Sequence, residues 1–195
     1  MPLLWVTREY VHLDRVATPW LIVRFVDPLA EFAYVPWRQE HLAPAGAIPL
    51  ALPGAELGPH DKTGSTFQKV MAKYQLDDPA LRVIARIIGC GIDFVLHGWR
   101  PEPDDRYGQA AVGLVTLAEG LMLTQQSDDA ILKASFPIYD ALYALFSTEA
   151  VIEDRKIEIQ TKGEDGRGPS SMVEGMRRVY NEAIAPTAHL QTPVG

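Results

Sequence analysis

The sequence is nearly devoid of cysteine, with Cys90 the only thiol among 195 residues. A single cysteine excludes a disulfide framework within the chain and any Cys-x-x-Cys redox or metal motif. Cys90 lies in a stretch of isoleucine and glycine, which favours a small buried hydrophobic residue over a reactive thiol. Gly-x-Ser-x-Gly, Walker, Gly-x-Gly-x-x-Gly and His-Glu-x-x-His motifs are also missing, which argues against the common hydrolase, nucleotide-binding and zincin classes.

Positive charge is scarce as well, because 18 Lys and Arg residues stand against 25 Asp and Glu, a formal net charge of −7. Such a chain lacks the basic surface that non-specific nucleic-acid binding requires, so we expect no nucleic-acid partner. No apolar run approaches the ~20 residues that span a bilayer. The N-terminal segment lacks the basic start and long apolar core of a signal peptide. We therefore expect a cytoplasmic protein with no membrane partner.

The apolar content of 47% and charged content of 22% are typical of a globular protein. Strands are predicted at 3–7, 31–36 and 47–52, the last an edge strand because it contains Pro49. Helices are predicted to begin near Thr18-Pro19, at Ser65 or Thr66 and at Asp78-Pro79, the last ending at Ile88, and to cover 109–125 and 128–147. The fold class is therefore α+β, a small N-terminal sheet packed against a mainly helical layer.

The chain changes character near position 150, where charged and glycine-rich residues replace the apolar helix pattern. We predict one domain over 1–149 and a C-terminal extension over 150–195. A short helix over 171–185 is compatible with the pattern of this extension. The long apolar helices before it also allow a homodimer.

His12, Asp14 and Arg15 form the first candidate group. Two positions apart on extended backbone, His12 and Asp14 would point to the same face. With Arg15 and a nearby helix N-terminus, they could hold a metal ion or an anion. The alternative is structural, with Asp14 accepting local N–H groups and Arg15 in an ion pair.

Glu56, His60 and Asp93 form the second candidate group. Glu56 and His60 lie in a loop rich in glycine and proline, which can aim a carboxylate and an imidazole at one point, although exposed loop residues of both types are common. Asp93 interrupts an apolar stretch, where a carboxylate is costly to bury unless it is paired or binds a metal. Gly89 and Gly91 suggest a helix end just before it, so Asp93 could equally be a cap or turn residue.

Several segments together resemble a known family. They are DRVATPWLIVRFVDPLAEFAYVP at 14–36, AIPLALPGAEL at 47–57, His60, TFQKVMAKYQLDDPAL at 66–81 and YDALYALF at 139–146. Over residues 4–147 the chain resembles the C-terminal domain of the chromate-resistance ChrB family. Members of that family accompany chromate transporters, and some act as chromate-responsive regulators, so the resemblance implies a role in chromate resistance. Thr18 and Ser65 stand where many members have cysteine, which favours nitrogen and oxygen chemistry over thiol redox chemistry.

The first functional hypothesis is a metal-dependent enzyme. A divalent ion (Zn, Mn or Fe) would be bound by ligands from the two candidate groups, namely His12, Asp14, Glu56, His60 and Asp93. Arg15 would hold a small anionic substrate, and Asp140 would orient a ligand or a proton carrier. The expected chemistry is water or proton transfer, such as hydrolysis, hydration or elimination.

The alternative hypothesis is a non-catalytic chromate- or oxyanion-sensing protein, or a chromate-resistance accessory protein. Arg15 and Arg24 near a helix N-terminus could bind a tetrahedral dianion through charge-assisted hydrogen bonds. A third hypothesis is a plain interaction module that assembles through its C-terminal extension or an exposed helix face.

Overall fold

The computed structural model describes residues 2–159 and 168–186, and side chains except those of 168–171. Three short parallel strands form the sheet, in the order β2-β1-β3: β1 (Leu4–Arg8), β2 (Glu31–Val35) and β3 (Ile48–Pro49). Trp5 on β1 pairs with Phe32 on one side and Ile48 on the other. Pro49 therefore lies on an edge strand, as predicted. Its missing N–H costs no hydrogen bond between strands at this position.

Helix α1 (Asp14–Phe25) connects β1 to β2 and is buried over most of its length. The predicted start at Thr18-Pro19 is wrong. The carbonyl of Leu13 accepts the N–H groups of Val16 and Ala17, so the first turn closes before Thr18. The hydroxyl of Thr18 then donates to the Asp14 carboxylate instead of capping a backbone N–H.

The described residues contain five further helices, one turn of π-helix at Tyr180–Ile184 and one short 3-10 turn at Glu40–Leu42. Each of the four between Ser65 and Arg155 begins after a residue whose side-chain oxygen accepts a backbone N–H of the first turn. Ser65 and Asp78 are two of these caps, at the positions that the sequence predicted. The helices are α2 (Thr66–Lys73), α3 (Pro79–His97), α4 (Arg106–Thr124), α5 (Asp128–Arg155) and α6 (Gly168–Val179).

Helix α3 does not end at Ile88 as predicted but continues through both glycines to His97. Gly91 packs against the side chains of Leu13 and Val115, where an added Cβ would lie 3.1 Å from Leu13. This glycine allows close helix packing and does not mark a helix end. As a result Asp93 and His97 lie one turn apart on the same helix.

The core lies where α1 meets the other helices and the sheet. Trp20, fully buried on α1, stacks on Phe67 of α2 and contacts Tyr139 and Tyr143 of α5. The small parallel sheet under a helical layer confirms the predicted α+β class. Helix α5 runs past position 149 and packs against α6 and the π-helical turn. Within the described part of the chain, no helix has the length and apolar character needed to cross a membrane.

Candidate functional site

A cleft of about 300 Å³ lies beyond the carboxyl ends of the three strands. Arg8 ends β1, Trp37 follows β2 and Ala51 follows β3, and all three line the cleft. Its other polar lining residues, His12, Asp14, Arg15 and His60, come from the start of α1 and from the loop before α2. The central strand β1 has neighbours on both sides that come later in the chain. Ligands of parallel α/β sheets bind at such a crevice.

The backbone around this cleft is strained. Tyr10, Leu13 and Ala51 all have positive φ, at 59°, 45° and 52°, although none of them is glycine. Leu13 combines its φ with a ψ of −110°, well outside the left-handed helical region. The buried hydroxyl of Tyr139 donates to the Leu13 carbonyl at 3.2 Å and helps to hold this conformation. Strain of this kind concentrates at functional sites, where the surrounding structure imposes it.

Arg15 projects from the first turn of α1 back onto the end of β1. Its Nη1 donates to the carbonyls of Arg8 (3.2 Å) and Glu9 (3.1 Å), and its Nη2 donates to that of Tyr10 (3.2 Å). Burial, followed by the nearby Arg8 guanidinium, lowers the pKa of Arg15. Among the described residues no carboxylate forms an ion pair with it. The predicted structural ion pair of Arg15 is therefore absent from this part of the chain.

His12 lies in the turn between β1 and α1, and Asp14 is already helical, so the prediction that both lie on extended backbone is wrong. The Nδ1 atom of His12 lies 3.2 Å from Nη2 of Arg15 and 3.1 Å from the Tyr10 carbonyl. Burial lowers the pKa of His12, although the Tyr10 carbonyl acts in the opposite direction. His12 thus contributes a weakly basic imidazole to the cleft.

Asp14 is 8% exposed and serves the junction between α1 and α2. Its carboxylate accepts the N–H groups of Thr66 at 2.9 Å and Phe67 at 3.0 Å, the first two residues of α2, and the Thr18 hydroxyl at 3.1 Å. These bonds satisfy helix N–H groups that have no partner within their own helix. These contacts agree with the alternative that Asp14 has a structural role, because three donors already bond to its two carboxylate oxygens.

Thr18 and Ser65 make structural hydrogen bonds, and Cys90 is a poorly ionised thiol. Thr18 bonds to Asp14, and the fully buried Ser65 accepts the Gln68 N–H as the cap of α2. Cys90 is half-buried on α3, where burial raises the pKa of its thiol. Its thiolate is thus disfavoured at neutral pH, in agreement with the expectation of an unreactive cysteine.

Arg8 is a cleft residue that the sequence did not single out. Its Nε lies 3.2 Å from Oε1 of Glu40, an ion pair that lacks the alignment of a hydrogen bond. Its guanidinium also stacks over the ring of Trp37, 4.1 Å from the centroid. The only sequence signal for Arg8 is that it ends the first buried strand, where parallel sheets place their ligand-binding residues.

His60, Asp93 and His97 each bring one ligand atom to within 4.8 Å of the others. Two of the five predicted metal ligands, His60 and Asp93, are therefore brought together. Glu56 is not part of this group, because its exposed carboxylate pairs with Lys73. His97, which closes α3, completes the group and was not among the predicted ligands.

Asp140 lies on α5 outside the lining of the cleft. Its two oxygens accept Nε and Nη2 of Arg24 at 2.9 and 2.8 Å, and Oδ1 also accepts the indole N–H of Trp20 at 2.7 Å. A bidentate pair with a 4% exposed arginine ties α5 to α1. The structure thus gives Asp140 and Arg24 partners in the core and does not bring either of them to Arg15.

Comparison with known proteins identifies the family. The family model "ChrB, C-terminal domain" matches residues 5–146. Protein ChrB of Cupriavidus metallidurans is 30% identical over 144 residues, which is 74% of this chain but 41% of that protein, so the chain spans about two fifths of its relative. No solved structure gives a significant match. The family match covers the sheet, the cleft and the helices up to the middle of α5, and the chain belongs to the ChrB C-terminal domain family.

Proposed function

We propose that this chain is a non-catalytic accessory protein that binds a small tetrahedral oxyanion, with chromate as the candidate, in the cleft at the end of the sheet. The observation that carries the proposal is the charge of Arg15, which bonds to backbone carbonyls and to His12 but to no carboxylate of the described residues. Arg15 is half-buried, and the nearby carboxylates of Asp128 and Asp14 offset the desolvation of its charge only in part, because its pKa is still lowered. A bound dianion would supply the missing negative charge.

Arg8 supports the proposal as the second cation of the cleft. Its side chain is 14% exposed, and after burial its charge is the next largest cause that lowers the pKa of Arg15. Ile92, Val95 and Leu96 add an apolar wall to the lining of the same cleft. Coulombic attraction is stronger beside such a wall than in bulk water, so two guanidinium groups here favour a dianion over a monoanion.

Glu40 is the internal competitor for this anion. Its carboxylate, which is 30% exposed, already pairs with Arg8 in the absence of a ligand. An incoming oxyanion would exchange with this carboxylate and take over the Arg8 guanidinium, for which guanidinium–oxyanion bonds are well suited. The site therefore resembles a sensor, in which a ligand replaces a protein group, more than a reaction centre.

Calorimetric titration of the full chain with chromate and with sulfate tests the proposal. We expect one anion per chain, with at least tenfold weaker binding in Arg8→Gln and in Arg15→Lys, because lysine cannot reproduce the fork of an arginine. Arg82→Gln is the matched control, since Arg82 is exposed and pairs with Asp77 away from the cleft. Absence of binding by the wild-type chain, or equal affinity in all three variants, would contradict the proposal.

The metal-dependent enzyme is the second candidate, favoured by the position of His60. This imidazole lines the cleft and also belongs to the group with Asp93 and His97. A metal ion there would supply Lewis-acid chemistry, and Arg15 would hold a small anionic substrate. Assays with small phosphate or carboxylate esters test this candidate. Turnover would favour it if a chelator abolishes the activity and Asp93→Asn lacks it. The cytoplasmic location, the homodimer and the lack of a nucleic-acid or membrane partner stay predictions.

A further inference from the structure

A cluster of three side chains lies at the rim of the cleft, where α3 ends and the loop before α2 passes over it. We propose that His60, Asp93 and His97 form a binding site for a divalent transition-metal ion such as Zn²⁺. Their ligand atoms lie within 4.8 Å of one another. The proposal does not depend on anion binding in the cleft.

Asp93 and His97 occupy the last turn of α3 with i,i+4 spacing. The Nε2 atom of His97 lies 4.0 Å from Oδ1 of Asp93, too far for a hydrogen bond. Zinc bonds of about 2.0–2.2 Å place tetrahedral ligand atoms roughly 3.4 Å apart. Both side chains are about half exposed, so small rotations close the remaining gap.

The loop that carries His60 is held from both sides. Lys69 donates to the carbonyl of Pro59 at 2.6 Å and pairs with Asp61 at 2.9 Å, the two neighbours of His60. Asp61 also accepts the backbone N–H and the hydroxyl of Thr63. These bonds fix the backbone at the histidine before any ligand arrives, which lowers the entropy cost of binding a metal.

The three side chains have unused binding capacity. Nδ1 of His60 is buried without a hydrogen-bond partner, which is unfavourable unless something coordinates it. Among the described residues, Asp93 has no ion pair with a lysine or arginine, and its 4.0 Å neighbour is His97. A metal ion would satisfy all three groups at once.

The local electrostatics favour a cation, and the donors indicate which one. The carboxyl end of α3, a helix of 19 residues, carries a partial negative charge next to Asp93 and His97. Two imidazoles and one carboxylate suit Zn²⁺, Co²⁺ or Fe²⁺, whereas Mg²⁺ and Ca²⁺ prefer all-oxygen sites. Three protein ligands would leave a fourth position for water or an exogenous ligand.

Titration of the chelator-treated full chain with Zn²⁺ tests the site, with Co²⁺ absorption as a second readout of tetrahedral coordination. We expect one ion per chain and at least a tenfold loss of Zn²⁺ affinity in each of His60→Gln, Asp93→Asn and His97→Gln. His41→Gln is the matched control, because His41 is exposed and lies in the short 3-10 turn, outside the cluster. It should keep the wild-type affinity.

Equal Zn²⁺ affinity in the wild type and the three ligand variants, or no Zn²⁺ binding by the wild type, would overturn the site and leave a simple His97–Asp93 contact. The exposed Asp93 and His97 variants should fold normally, so they decide the question if His60→Gln is unstable. Chromate titration of the metal-free chain is a separate measurement. Failure of the metal site and failure of the oxyanion cleft are thereby distinguishable.

Discussion

Nη2 of Arg15 lies 3.2 Å from Nδ1 of His12. Arginine can only donate, so this hydrogen bond exists when Nδ1 of His12 carries no proton. A protonated imidazole would instead donate from Nδ1 to the Tyr10 carbonyl, 3.1 Å away, and would place a second positive charge beside the guanidinium. The contact between Arg15 and His12 therefore requires a neutral imidazole whose proton is on Nε2.

The pH dependence of stability follows from this pair. Burial lowers the pKa of His12 below its ordinary value of about 6.5, so the unfolded chain takes up a proton first as the pH falls. The contribution of His12 to stability is therefore complete above about pH 6.5 and is lost as the pH falls through the lowered pKa. Urea unfolding between pH 7.5 and 5 should show a steeper loss of stability in the wild type than in His12→Gln. Parallel pH profiles would contradict this assignment.

Removal of the Asp14 carboxylate should destabilise the fold. Asp14→Ala leaves two N–H groups of α2 and the Thr18 hydroxyl without their acceptor, which we expect to cost about 2–4 kcal/mol of unfolding free energy. Glu56→Ala is the control, since its carboxylate is an exposed ion-pair partner and its loss should cost about 0–1 kcal/mol. Denaturant unfolding measures both. Similar losses in the two variants would show that Asp14 is not a structural cap.

Asp140 should matter for stability and not for ligand affinity. Asp140→Asn removes the negative charge that pairs with the buried Arg24 guanidinium, so we expect a loss of about 3–5 kcal/mol. The double variant Arg24→Met/Asp140→Leu should recover part of that loss, because neither charge remains. Chromate and Zn²⁺ affinities of the folded variants should equal those of the wild type. A loss of chromate affinity with unchanged stability would instead show that Asp140 contributes to ligand binding.

Glu40→Gln should strengthen anion binding. The substitution removes the carboxylate that pairs with Arg8 but keeps the size of the side chain. Because the ligand no longer displaces a charged competitor, sulfate affinity should rise about three- to tenfold, about 0.6–1.4 kcal/mol. Calorimetry with Glu31→Gln as an exposed, distant control measures the change. Unchanged or weaker binding would mean that Arg8 does not contact the anion.

Local signals predicted much of the fold. Proline placed β3 at the sheet edge, and side-chain acceptors at Ser65 and Asp78 marked the starts of α2 and α3. These features depend on neighbouring residues, so the sequence carries them directly. Apolar composition placed α4 within three residues of its observed bounds and gave the correct start of α5, but α5 continues eight residues beyond its predicted end, to Arg155.

Long-range packing decided what the sequence could not predict. Helix α3 passes through Gly91 because Leu13 and Val115 occupy the space of its missing side chain, and neither residue is near it in sequence. The Asp14 carboxylate at the start of helix α1 accepts the N–H of Thr66, which is 52 residues away in the sequence. A local pattern cannot encode either contact.

The candidate site was predicted in part for the same reason. His60 and Asp93 were recognised by residue type in unusual surroundings and do lie together. His97 joins them only because α3 is longer than the glycines suggested. Arg8 has no local signature, and its importance depends on the strand order, which places β1 between β2 and β3.

Chromate binding in the cleft can be seen by X-ray diffraction from crystals soaked in chromate and measured at the chromium absorption edge. We expect an anomalous chromium peak inside the cleft, within contact distance of the Arg8 and Arg15 side chains and with Glu40 turned away. Chromium bound only at other surfaces, with the Arg8–Glu40 pair intact at saturating chromate, would contradict it.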